Sequence, residues 1–106
     1  QPVAVVVRRQ DQELHISLAP LQELAAGQIL VQIVRYAPQR TVSISRGELA
    51  GRTLSYANVV EDRHVAAEWN GRAPLELTIP HHGSQSAAVL VQEAPFGRIL
   101  GAARVE

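Results

Sequence analysis

Apolar and polar side chains alternate through much of this chain, and the dominant period is two. Leu14, Ile16 and Leu18 fall on one side of an extended backbone, with Glu13, His15 and Ser17 on the other. Val42 and Ile44 alternate in the same way with Thr41, Ser43 and Ser45, as do Leu75, Leu77 and Ile79 with Glu76 and Thr78. A period of two is the mark of a half-buried strand. Val3 to Val7 and Ile29 to Val34 are more continuously apolar and rich in β-branched residues, as central strands covered on both faces are. Ala87–Gln92 and Arg98–Arg104 are joined by Glu93-Ala-Pro-Phe-Gly97, whose proline and glycine make the pair a hairpin.

Breaks are expected at Pro20, Gly27, Pro38, the Gly47–Gly51 segment, Asn70-Gly71, Pro80 and Pro95–Gly97. The pattern predicts an all-β fold, an antiparallel two-sheet β-sandwich of about eight strands, with one short helical turn near 19–26. Between Ser55 and Trp69 the inward set shifts register, from Leu54 and Tyr56 to Val59, Val65, Ala67 and Trp69. Such a shift demands a bulge or bend, placed at Asn58 or at Glu61-Asp-Arg63, through which a strand could cross from one sheet to the other.

Composition narrows the function classes. A chain of 106 residues is read as a single domain, 1–106, and its start at Gln1 as the start of a piece excised from or processed out of a longer chain. Ten basic residues balance ten acidic ones. With basic charge no denser than Arg8-Arg9 or Arg46 with Arg52, nucleic acid is not the expected partner. The absence of cysteine removes disulfides, thiolate nucleophiles and thiol metal ligands. No apolar run approaches the ~20 residues of a membrane-spanning helix.

The stretch Arg46-Gly-Glu-Leu-Ala-Gly-Arg52, continued by Thr-Leu-Ser-Tyr-Ala-Asn-Val-Val60, is the most distinctive. A phosphate loop would place Lys-Ser or Lys-Thr after its last glycine and a helix beyond it. Here Arg52 is followed by strand alternation, and no Gly-x-Ser-x-Gly elbow occurs. The stretch reads as a turn in which Gly47 and Gly51 adopt backbone angles that other residues avoid, with Glu48 able to accept hydrogen bonds from Arg46 or Arg52.

These residues, with Trp69-Asn-Gly71, Ala87–Gln92 and Ile99–Ala102, resemble the C-terminal half of an uncharacterised family of exported bacterial proteins. In that family a thioredoxin-like domain with a Cys-x-x-Cys motif precedes a β-rich domain. The resemblance covers about the last two-thirds of the chain, and Leu49 stands where family members often carry asparagine. It implies a non-catalytic accessory or interaction domain, an exported or periplasmic location, and a thioredoxin-like domain in the same parent chain as partner. The motif positions are Arg46, Gly47, Glu48, Gly51, Arg52, Asn58, Val59 and Val60. No catalytic residue and no cofactor is carried over.

Other candidates are weaker. His81-His82 in the loop after Pro80, with His64, could take up zinc or copper. Neighbouring residues on an extended backbone point to opposite sides, however, and the simpler expectation is solvated loop histidines. Glu61, Asp62 and Glu68 could supply a carboxylate pair for hydrolysis, but charged groups on a bend more often keep edge strands apart. Trp69 lies on an apolar face and is expected in the core, with its indole N–H tied to a backbone carbonyl. The alternative to an accessory domain is a freestanding ligand- or metal-binding sandwich using the Arg46–Arg52 or the His81-His82 loop. A hydrolase with dispersed residues comes third.

Overall fold

The computed structural model describes residues 1–25, 27–43, 47, 51 and 53–105. Seven strands run through them: β1 (Val3–Gln10), β2 (Glu13–Pro20), β3 (Ile29–Ser43), β4 (Thr53–Trp69), β5 (Leu75–Pro80), β6 (Ser86–Glu93) and β7 (Ile99–Val105). They form two antiparallel sheets, β1-β2-β5 and β4-β3-β6-β7, so the sandwich expected from the alternation is present. No helix forms among the described residues, and of the segment expected to turn helically residues 21–25 are irregular, following Pro20 at the end of β2.

Each sheet turns its alternating apolar face to the other. Val3, Leu14, Ile16 and Leu18 from the smaller sheet meet Ile29, Val31, Ile33, Trp69, Val89 and Val91 from the larger, all of them buried. The sheets close along one side, where β1 packs on β7. Gly101 permits that approach, since a Cβ there would stand 2.5 Å from the Val3 carbonyl oxygen. This corrects the placement of Val3–Val7 as a central strand: β1 is an edge strand lying against β7, and Val6 on its outer side is exposed. The β1–β2 turn, Asp11-Gln12, was missed because no glycine or proline marks it; Asp11 takes φ of +55° itself. Aspartate tolerates that conformation better than most residues.

Two expected breaks dissolve into long strands. β3 continues through Pro38, because beyond Tyr36 it pairs with β4 alone and has no neighbour on its other side. A residue without an amide hydrogen is tolerated where a strand has a free edge. β3 and β4 therefore leave the sandwich together as a two-stranded arm, paired from Ala37↔Val59 to Ser43↔Thr53. β4 does carry its irregularity at Glu61, as expected from the polar run, but there is a second one at Ala66, and β4 stays within one sheet. With two bulges the register flips twice. Val65 consequently faces outward beside Gln32 and is half exposed, while Ala67 and Trp69 face the core.

Candidate functional site

The connection from β5 to β6 crosses from one sheet to the other, and it carries His81. This residue is not a solvated loop histidine, as its sequence context suggested, but is buried to 2% exposure. Arg35, whose register places it on the inward side of β3, donates from Nε to His81 Nδ1 at 3.1 Å. The imidazole proton therefore resides on Nε2, which donates to the Gln85 carbonyl oxygen at 2.7 Å. Burial, with Arg9, Arg35 and His82 nearby, holds the His81 pKa below the usual histidine value, so the ring is neutral at pH 7.

Further bonds secure this end of the sandwich. Arg35 Nη2 donates to the Pro80 carbonyl at 2.8 Å and Nη1 to Asp62 Oδ2 at 3.0 Å. Arg9, at the end of β1, donates to the carbonyls of Gly83 and Gln85. Gln85 donates from Nε2 to Glu61 Oε1 at 2.9 Å. His82 lies on the opposite side of the backbone and is exposed, paired through Nδ1 with Gln12 Oε1 at 2.8 Å. Four strands and one turn are thus pinned around a single imidazole.

The chemistry available here is limited by saturation. Both His81 nitrogens are engaged, leaving neither to bind a metal or abstract a proton. Asp62, beside Arg35 and His64, has its carboxyl held below the usual aspartate range, the opposite of what a general acid at neutral pH requires. His64 Nδ1 is 3.4 Å from Asp62 Oδ2 and stands away from His81 in this network. Among the described residues no three His, Cys, Asp or Glu side chains are grouped so as to hold a metal ion.

Of the motif residues, Asn58 and Val59 lie on the β4 strand of the arm. Gly47 and Gly51 have φ of +84° and +83°, the left-handed angles for which glycine was expected. Arg46, Glu48 and Arg52 lie outside the described residues, as does the side chain of Asn58. Val59 is half-buried at the arm's root, and Val60, beside Tyr36, is exposed on the outer face of the larger sheet. Trp69 is in the core with Nε1 donating to the Ala73 carbonyl at 2.9 Å, as expected.

The two sheets differ most in their outward faces. On β1-β2-β5 that face reads Gln10-Glu13, Arg8-His15-Thr78 and Val6-Ser17-Glu76 across successive rows, a polar surface with one large apolar residue. On β4-β3-β6-β7 it reads Val65-Gln32-Leu90-Ala102, Arg63-Val34-Ala88-Arg104 and Val60-Tyr36-Ser86. Val34, Tyr36, Val60, Ala88 and Arg104 line a shallow depression there of about 230 Å³. This face was not among the site candidates, although the apolar run Ile29–Val34, interrupted by Gln32 alone, was its trace in the sequence. A larger open cleft of about 640 Å³ lies between residues 20–25 with Gly27 and the Asn70–Arg72 turn, and no histidine lines it.

No helix of the described residues is long and apolar enough to cross a membrane. No curated protein matches the chain. An X-ray crystal structure of a protein from Agrobacterium tumefaciens, a structural-genomics target, is similar in fold, with a TM-score of 0.75 and 22% sequence identity. The match covers 98% of this chain and 46% of that one, so the chain spans about half the length of its structural neighbour. The family model described as Protein of unknown function (DUF1223) matches residues 1–92, and the chain belongs to that family.

Proposed function

We propose that this is a non-catalytic interaction domain, serving as the accessory half of an exported redox protein whose other half is thioredoxin-like. The observation that carries the interaction reading is the outward face of the four-stranded sheet, where Val34, Val60, Val65 and Leu90 are presented to solvent in a sheet whose neighbour shows water a polar surface. Apolar surface gathered in one patch marks an interaction site more often than the same residues scattered singly. The saturated bonding of His81 removes that residue as a catalytic base. The redox and exported parts of the proposal rest on the resemblance carried by the Arg46–Val60 motif, and the 46% coverage of the structural neighbour is in keeping with a longer parent chain.

An immunoblot of source cells against this domain tests the reading. It expects a band near twice the size of this chain, found in the exported fraction. A native species of 11.5 kDa would overturn it and leave a freestanding binding domain as the reading to pursue.

A further inference from the structure

Resting on that reading, we infer that the outward face of β4-β3-β6-β7, centred on Val34, Tyr36, Val60, Val65 and Leu90, is the seat of another segment of the same polypeptide, apolar on its contacting side. Three observations select this face and this occupant.

The first is a mismatch between sequence and exposure. Residues Ile29–Val34 have the composition of a strand covered on both sides, and β3 is central in its sheet. Its inward residues Ile29, Val31 and Ile33 are buried, and so are outward Gln32 and Tyr36, whereas outward Leu30 and Val34 are only half covered. A near-continuous apolar run in a strand is the usual mark of cover on both faces, although an antiparallel sheet can leave one face in water.

The second is that the amides at the centre of this face, Gln32 and Gln92, are already bonded, while the charged residues Arg63 and Arg104 are exposed. Arg63 Nε donates to Gln32 Oε1 at 2.8 Å, Gln32 Nε2 donates to Gln92 Oε1 at 2.7 Å, and Gln92 Nε2 donates to the Gly97 carbonyl at 2.9 Å. Gln32 is buried beneath this chain of bonds at 5% exposure. Amides satisfied internally can be covered without being left unpaired, which lowers the cost of docking on a mixed surface.

The third is area. At ~3.3 Å per residue and ~4.8 Å between strands, the face measures roughly 20 by 15 Å, or about 300 Å² on each side of a contact. The total, about 600 Å², is well short of the ~1,200 Å² at the lower limit of stable complexes between separate chains. It does reach the ~600 Å² at which domains of one chain pack together. A tether supplies the effective concentration that a small contact lacks. More than half of the similar Agrobacterium chain lies outside this fold, which is the room such a segment needs.

Two valines provide a matched control. Val6, on the outward face of the smaller sheet, is 61% exposed, and Val60 is 60% exposed. Hydroxyl-radical labelling of the full-length parent protein, held monomeric as verified by light scattering, would be read by mass spectrometry at both. Core residues of a packed contact are as shielded as interior ones, so Val60 labelling about tenfold below that of Val6 is expected. Equal labelling in a chain that is longer than this domain overturns the docking while leaving the accessory reading intact. A native chain of 11.5 kDa would instead sink both. Protection of Val60 that arises only in dimers would assign the face to a second copy and overturn the inference as well. In the full-length Val60→Glu variant, labelling of Val65 and Leu90 should rise while core Ile33 stays protected; unchanged labelling of Val65 and Leu90 counts against the seat.

Discussion

Arg35 Nε and His81 Nδ1 meet at 3.1 Å, and through this bond the central strand of one sheet holds the loop that leaves the other. The guanidinium also reaches Pro80 and Asp62, so one side chain ties β3, β4 and the β5–β6 connection together.

Replacing Arg35 by methionine keeps much of the aliphatic stem but leaves His81 Nδ1 and the Pro80 carbonyl without their donor. An unsatisfied buried acceptor costs about 1–3 kcal/mol, and a loss of about 2 kcal/mol is expected by urea unfolding. A variant as stable as the parent would show that water replaces the arginine freely.

Acid should loosen the same junction. His81 has its folded pKa below the unfolded value of about 6.5, so the unfolded chain binds the extra proton first as pH falls. Its contribution to stability is therefore complete above pH 6.5 and is lost as pH drops from there towards the folded pKa. A proton on Nδ1 would also face the Arg35 N–H, with Arg9 and His82 adding positive charge nearby. Asp62, whose folded pKa is likewise lowered, contributes fully above the ordinary aspartate value of 3.8 and loses its share as pH falls from there towards its folded pKa. Unfolding midpoints at pH 7.5 and pH 5.5 should differ in the parent and differ less in His81→Gln. An identical pH dependence in the two proteins would remove His81 as the cause.

Two apolar residues on the larger sheet should respond oppositely to change. Ile33 is fully buried between the sheets, and Ile33→Ala is expected to cost about 3 kcal/mol through lost transfer energy and the cavity left behind. Val60→Glu removes a side chain already in water in the isolated domain and should stay within about 0.5 kcal/mol. A large loss from Val60→Glu in the isolated domain would mean that the outer face is packed within the domain itself.

Gly101→Ala tests the corner where β1 meets β7. The added methyl would lie 2.5 Å from the Val3 carbonyl oxygen and 3.0 Å from a Val5 methyl, and backbone cannot yield as a flexible side chain does. A loss of about 1–3 kcal/mol is expected, read by thermal unfolding. An unchanged midpoint would show that the two edges separate at little cost.

The alternation of residue types determined a great deal by itself. Leu14, Ile16 and Leu18, like Leu75, Leu77 and Ile79, point inward as their period of two requires, because a strand can bury only one face against a single partner sheet. The β6–β7 hairpin was equally legible, since Pro95 and Gly97 mark its turn locally, and Glu93 with Arg98 closes it through an ion pair at 2.7 Å. Both the core position of Trp69 and the bulge near Glu61 could also be read in advance.

Tertiary structure decided whatever depends on neighbours distant in sequence. Pro38 ends nothing because β6 stops pairing with β3 at Tyr36, and Val65 turns outward only because a second bulge falls at Ala66. His81 resembles a loop histidine in sequence; it is buried because Arg35 lies 46 residues away along the chain and 3.1 Å away in space. Strand pattern is a local property of the backbone and is written in adjacent residues. Burial, strand order and hydrogen-bond partnership belong to pairs of segments, and they exist only once the chain has folded.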